Sequence, residues 1–187
     1  MHNPKDILYG RLPHYRLSDR GRRQAEATAR FLASRTVSAI YTSPLLRARQ
    51  TAEIFSAYHP RLRPRLSSDL LEVKTGYQGS PNSILKPGFS FFEPLKEPND
   101  ETMEQVWIRM RRFMRRAIKR HAGETVVAVG HADPIKIMRV GLLGLEMTVA
   151  NLHAAIEPAR ASINQITFQP GGTPSLTYFD VNREGRP

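Results

Sequence analysis

Apolar residues recur along this chain with two different periods, and the changes of period mark its elements. From Leu17 to Arg35, Ala25, Thr28, Ala29 and Leu32 fall three and four residues apart, which predicts an amphipathic helix with Ser18 as its N-cap. "VSAIYTSP" then predicts a short buried strand ending at Thr42-Ser43. Ser43 is expected to cap a second helix with Pro44 in its first position and Ala48, Thr51, Ala52 and Phe55 on its inner side, stopped by His59-Pro60. "DLLEV", residues 69 to 73, reads as a further strand.

The period disappears from 74 to 98, where Gly76, Gly79, Pro81, Pro87, Gly88, Pro94 and Pro98 break any regular element. A loop of that length is expected to act as a lid, and its "GFSFFEP" run predicts a packed one. Helical spacing returns near Asn99-Asp100 and runs to His121, with Met103, Val106/Trp107, Met110, Phe113/Met114 and Ala117/Ile118 as the buried stripe. An apolar strand at 125 to 130 follows, then a helix to about Leu143 opened by Asp133-Pro134, and a short helical stretch from Asn151 to Glu157. "ASINQITF" and "SLTYFDV" flank "QPGGTP" and predict a terminal hairpin. Strands interspersed with helices over residues 1 to 187 predict one α/β domain, a three-layer α/β/α sandwich.

Charge and composition narrow the partners. The net charge is +11, and residues 1 to 65 hold 13 Lys/Arg against 4 Asp/Glu. Such a field favours anionic partners without choosing among metabolites, nucleic acid and acidic membranes. With no cysteine, disulfides, thiolate metal sites and a cysteine nucleophile are excluded. No apolar run reaches the roughly 20 residues that span a bilayer, and the first residues do not resemble a signal peptide, so a cytoplasmic protein without a membrane partner is expected. Arg109, Arg111, Arg112, Arg115, Arg116, Lys119 and Arg120 form a basic surface on the 109 to 120 helix. That surface permits a nucleic-acid reading. The preferred reading is a solvated face with long arginine stems over apolar neighbours, since no aromatic residue interleaves as a stacking platform.

Three predicted strands end in polar residues, and in open α/β sheets binding groups gather beyond the carboxyl ends of strands. These ends supply Arg47 after Tyr41-Thr42-Ser43, Glu72 after Leu71, and His131 after Gly130. Arginine matches phosphate oxygens, a carboxylic acid can protonate a leaving oxygen, and imidazole can donate a hydrogen bond or act as a base. Each also has a plain reading as a surface or strand-end polar residue. The six histidines show no metal-ligand spacing, and glycine-rich phosphate loops are absent. No metal and no cofactor is expected.

"YTSPLLRARQTAEI", residues 41 to 54, resembles the helix-start motif of the histidine phosphatase superfamily, the group that includes cofactor-dependent phosphoglycerate mutases. "LSDRGRRQAEATARFL", "LLE" and "VVAVGHADPIK" resemble its other segments in order. The resemblance implies that Arg47 clamps the transferred phosphoryl group, Glu72 donates a proton, His131 binds the phosphoryl group, and Arg11 lies near the substrate. It also implies a phosphoric-monoester phosphatase that works through a phosphohistidine on a small phosphorylated substrate. The family's attacking histidine sits in an Arg-His-Gly or Arg-His-Ala motif at the end of a first strand, and this sequence has neither such a first strand nor that motif at its end; its one Arg-His-Ala, at 120 to 122, closes the helical stretch that runs to His121. No nucleophile is assigned, and the expectation is an N-terminally truncated, impaired copy. The alternatives are a non-catalytic anion-binding or regulatory relative, a phosphoglycerate-type mutase, and the nucleic-acid reading.

Overall fold

The computed structural model describes residues 1–169 and 171–183. Helix α1 (Asp19–Leu32) leads into β1 (Ala39–Thr42), α2 (Leu46–Ala57) and β2 (Arg65–Leu66), and then into 3-10 turns at Ser68–Leu70 and Asn82–Ile84. After these come α3 (Met103–Arg120), β3 (Val126–Val129), α4 (Ala132–Leu142), α5 (Val149–Ala154), β4 (Ile163–Thr167) and β5 (Ser175–Phe179). Strands β2, β1 and β3 form a parallel sheet in that order, with Thr42 opposite both Leu66 and Val129. The expected hairpin is present as β4 and β5, antiparallel and in a separate sheet.

Side chains alternate across β1, so neighbouring residues enter different cores. Ile40 packs with Ala29, Ala52 and Phe55 from α1 and α2, and Val127 and Val129 of β3 join that side. Tyr41 turns the other way, against a larger core built from Val106, Met110, Phe113, Ile137 and Met138 of α3 and α4. The sheet therefore lies between two helical layers, as the pattern predicts. Close approach on the α3 side depends on Gly141, where an added Cβ would fall 2.5 Å from the Trp107 indole.

Capping explains where the helices begin. Ser18 Oγ accepts from the Gly21 N–H, as expected. Helix α3 opens later than Asn99-Asp100, because Thr102 and Gln105 form a capping box. Asp100 instead accepts from the N–H groups of Gly76 and Glu97, tying the irregular segment to the helix entry. Ser43 is not the cap of α2, which starts at Leu46 without a side-chain cap. Nor is Asp133-Pro134 a cap and first position: the N-cap of α4 is His131, and both residues lie inside the first turn. Helix α5 sits at 149–154 rather than 151 to 157, because Thr148 caps it.

"DLLEV" is not a strand. The strand in this region is β2, Arg65–Leu66, and Ser68–Leu70 winds into a 3-10 turn. The carbonyls of Asp69 and Glu72, which a strand would offer to a neighbour, accept from Arg109. The basic face of α3 also needs correction, since Arg109 is buried and Arg112 and Arg116 both pair with Asp69. Three of the seven cations therefore have carboxylate partners within the chain, which leaves less free charge for the nucleic-acid reading, although Arg112 and Arg116 stay exposed. Within 74 to 98, Tyr77, Phe89 and Phe91 form edge-on contacts, while Phe92 belongs to the main core.

Candidate active site

Because Thr42 and Val129 are register partners, the residues leaving β1 and β3 emerge side by side. Ser43 and His131 meet there, with Ser43 Oγ 2.8 Å from His131 Nε2. The other ring nitrogen, Nδ1, lies 3.9 Å from Glu72 Oε2, and the same oxygen lies 4.0 Å from Arg47 Nη2. Glu72 Oε1 accepts from the Val73 N–H at 3.0 Å. Arg47, in the first turn of α2, donates to the Gly10 carbonyl at 2.8 Å and places its guanidinium 4.9 Å from the Tyr9 ring centroid. Arg47, Glu72 and His131, predicted from three distant segments, are thus brought to one edge.

Arg11 lies beside this group with its guanidinium already engaged. Its Nε donates to the Glu72 carbonyl at 2.6 Å and its Nη2 to Glu101 at 2.7 Å. The structure therefore places Arg11 behind Glu72 as a backbone clamp. His2 and His14 are exposed. Among the described residues, no second imidazole is hydrogen-bonded or ion-paired to Arg47, Glu72 or His131.

The surroundings set unusual protonation states. Burial pushes the Glu72 carboxyl up to about 8, helped by Asp133 and opposed by the Val73 N–H, Arg47 and Arg109. His131 is held well below the ordinary imidazole range, first by burial and then by the cations Arg47, Arg109 and Arg11. Burial also lowers Arg47 from its ordinary value, and Glu72 opposes that shift. These shifts favour a protonated carboxyl and a neutral imidazole beside the guanidinium at this edge. The carboxyl nearest Arg47 is then uncharged, so an arriving anion is the available counter-charge. Such a set can bind a phosphoryl group, donate hydrogen bonds to it and release a proton to a leaving oxygen.

Sequence reasoning missed four residues at or behind this site: Ser43, Glu101, Arg109 and Asp133. The local pattern reads Ser43 and Asp133 as helix caps. Arg109 had a usable signal, because it follows Val106 by three and precedes Phe113 by four, which places it on the inner stripe of α3 rather than on the basic face. A charged residue at a core position calls for a buried partner, and Glu101 is that partner.

Residues 1–181 match the histidine phosphatase superfamily, branch 1. The chain is 34% identical over 154 residues to an uncharacterised protein of Mycobacterium tuberculosis, covering 77% of this chain and 74% of the other. It is also similar to phosphoserine phosphatase 1 of Hydrogenobacter thermophilus, at 30% identity over 142 residues, 71% of this chain and 66% of that protein. A mycobacterial glucosyl-3-phosphoglycerate phosphatase solved with VO3 shares the fold, with a TM-score of 0.78 over 93% of this chain and 90% of the other, at 24% identity.

Proposed function

This chain belongs to the histidine phosphatase superfamily, and on that premise we propose that it is a phosphoric-monoester phosphatase module acting on a small phosphorylated substrate. The supporting observation is a buried arginine without a close carboxylate partner: Arg47 donates to the Gly10 carbonyl, and its nearest carboxyl, Glu72, stands 4.0 Å away with its pKa pushed up by burial. In this reading Arg47 and His131 hold the phosphoryl oxygens. Glu72 gives its proton to the leaving oxygen as the phosphorus–oxygen bond breaks. The likeness to a phosphoserine phosphatase supports a small phosphomonoester as substrate.

In the family the attacking nitrogen comes from an Arg-His-Gly or Arg-His-Ala histidine at the end of a first strand; the one such tripeptide in this sequence, Arg120-His121-Ala122, instead ends α3, where His121 meets Tyr41 and Glu124 rather than Arg47, Glu72 or His131. The residues described supply binding, charge neutralisation and the proton. Free imidazole can supply the attacking nitrogen to these residues in a test of their chemistry. No helix among the described residues is long and apolar enough to cross a membrane, and the absence of cysteine supports a cytoplasmic location.

The test is hydrolysis of an aryl phosphate by this chain with and without free imidazole. Low turnover alone, raised by imidazole and lost in His131→Ala, is expected. The lack of such a tripeptide at a strand end beside Arg47 and His131 favours one second reading, an anion-binding relative without turnover. Saturable phosphate binding with no turnover at any imidazole concentration would establish it in place of the phosphatase.

A further inference from the structure

Glu72 lies in an irregular stretch between the Ser68–Leu70 turn and the 74 to 98 segment, outside every strand. Ladder hydrogen bonds therefore do not fix it, and its carboxyl needs some other anchor to stay near Arg47 and His131. The anchor is visible in the hydrogen bonds. Arg109 Nη1 donates to the Asp69 carbonyl at 2.7 Å, and its Nη2 donates to the Glu72 carbonyl at 3.3 Å. The same guanidinium grips Glu101 through Nε at 3.0 Å and Nη2 at 3.1 Å. Glu101 in turn accepts from the Lys74 N–H at 2.9 Å and from Arg11 at 2.7 Å, while Arg11 also donates to the Glu72 carbonyl.

One guanidinium–carboxylate pair thus holds the backbone before Glu72, after Glu72 and at Glu72 itself. We infer that Arg109 and Glu101 are positioning residues for Glu72, bolting residues 69 to 74 to α3 so that the carboxyl faces Arg47 and His131. Neither residue touches the phosphoryl site. The inference rests on the phosphoryl-site reading given above.

The chemistry of the pair suits the task. The Arg109 side chain is only 8% exposed, and a buried ion pair often stabilises no better than a well-packed apolar residue of the same size. What an apolar residue lacks is the planar fork, whose fixed N–H directions lock two carbonyls and a carboxylate into one geometry. Lysine carries the same charge without that fork. The charged and titratable groups that face Glu72 are Arg47 from α2, Arg109 from α3, His131 and Asp133 at the start of α4, and Arg11. A change that keeps every charge and loosens only the grip therefore separates position from electrostatics.

Arg109→Lys is that change, read by carboxyl-carbon NMR titration of Glu72 and by calorimetric titration with orthovanadate on the full chain. The expected result is a Glu72 midpoint moved down by about one unit or more toward the ordinary glutamate range, as the freed segment admits water. Vanadate affinity should fall about tenfold alongside it. Glu101→Asp, which also keeps the charge and shortens the reach by one methylene, carries the same expectation should Arg109→Lys fail to fold. A variant that only loses thermal stability, with the Glu72 midpoint and vanadate affinity as in the unaltered chain, overturns the inference. Failure of the unaltered chain to bind vanadate is a different result, and it counts against the phosphoryl-site reading.

Discussion

Two glutamates stand on either side of the same stretch of backbone and are treated in opposite ways. Glu101 is saturated with donors, with both oxygens on Arg109 and one also on Arg11 and the Lys74 N–H, and its pKa falls below the ordinary value despite burial. Glu72 accepts a single backbone N–H, stays about 4 Å from its arginine and from His131, and is pushed up to about 8. Burial raises both carboxyls, and Asp133 adds to the rise at Glu72; at Glu101 the hydrogen bonds and charges of Arg109, the Lys74 N–H and Arg11 outweigh it. A saturated carboxylate fixes structure, whereas an unsaturated one keeps a proton and leaves the neighbouring guanidinium free to take an anion.

The comparison breaks most visibly at Glu101. Glu101→Gln leaves Arg109 and Arg11 without their counter-ion, and an unpaired buried charge costs about 3–5 kcal/mol, to be read from urea denaturation. An unchanged midpoint would mean that the saturated pair contributes nothing.

Glu72 sharpens the contrast through pH. The folded protein keeps the Glu72 proton up to about pH 8, while the unfolded chain releases it near 4.5. This group's contribution to stability is therefore complete below the unfolded value and decays as pH rises through that window, by at most about 1.4 kcal/mol per pH unit. Glu72→Gln removes the decay, so the variant should gain on the unaltered chain as pH rises from about 4.5 to 8, measured as the difference between their urea midpoints. The opposing effect of His131, whose lowered pKa costs stability as pH falls below 6.5, is common to both proteins to first order. A difference that does not vary with pH would show that Glu72 titrates ordinarily.

The smallest effect belongs to Ser43. Removing its hydroxyl with Ser43→Ala takes one hydrogen bond from His131, worth about 1 kcal/mol, and should move the His131 ring resonances in NMR while leaving those of His121 in place.

Much of this frame was legible in the chain. The amphipathic stripes of α1 and α3, the apolar runs of β1 and β3, and the hairpin all follow from local period and turn residues. Arg47 and His131 could be placed because each lies within a few residues of a strand end. The approach of Glu72 could not, because "DLLEV" has the composition of a strand and was turned away from one by Arg109, a partner 37 positions further on. Ser43 and Asp133 were likewise misplaced: each is a good cap former next to a helix start, and tertiary contacts moved those starts. Local signals located the groups, while long-range hydrogen bonds decided their charge.

The central claim is that Arg47, freed by a protonated Glu72, is the anion-binding group of this pocket. Calorimetric titration of orthovanadate at neutral pH into the unaltered chain and into Arg47→Ala tests it most directly. The account predicts saturable one-site binding that weakens about 10- to 100-fold in the variant, the loss of a charge-assisted contact worth about 1.5–3 kcal/mol, with the far-ultraviolet circular dichroism unchanged. Equal affinity in both proteins, or no binding by the unaltered chain, would contradict it.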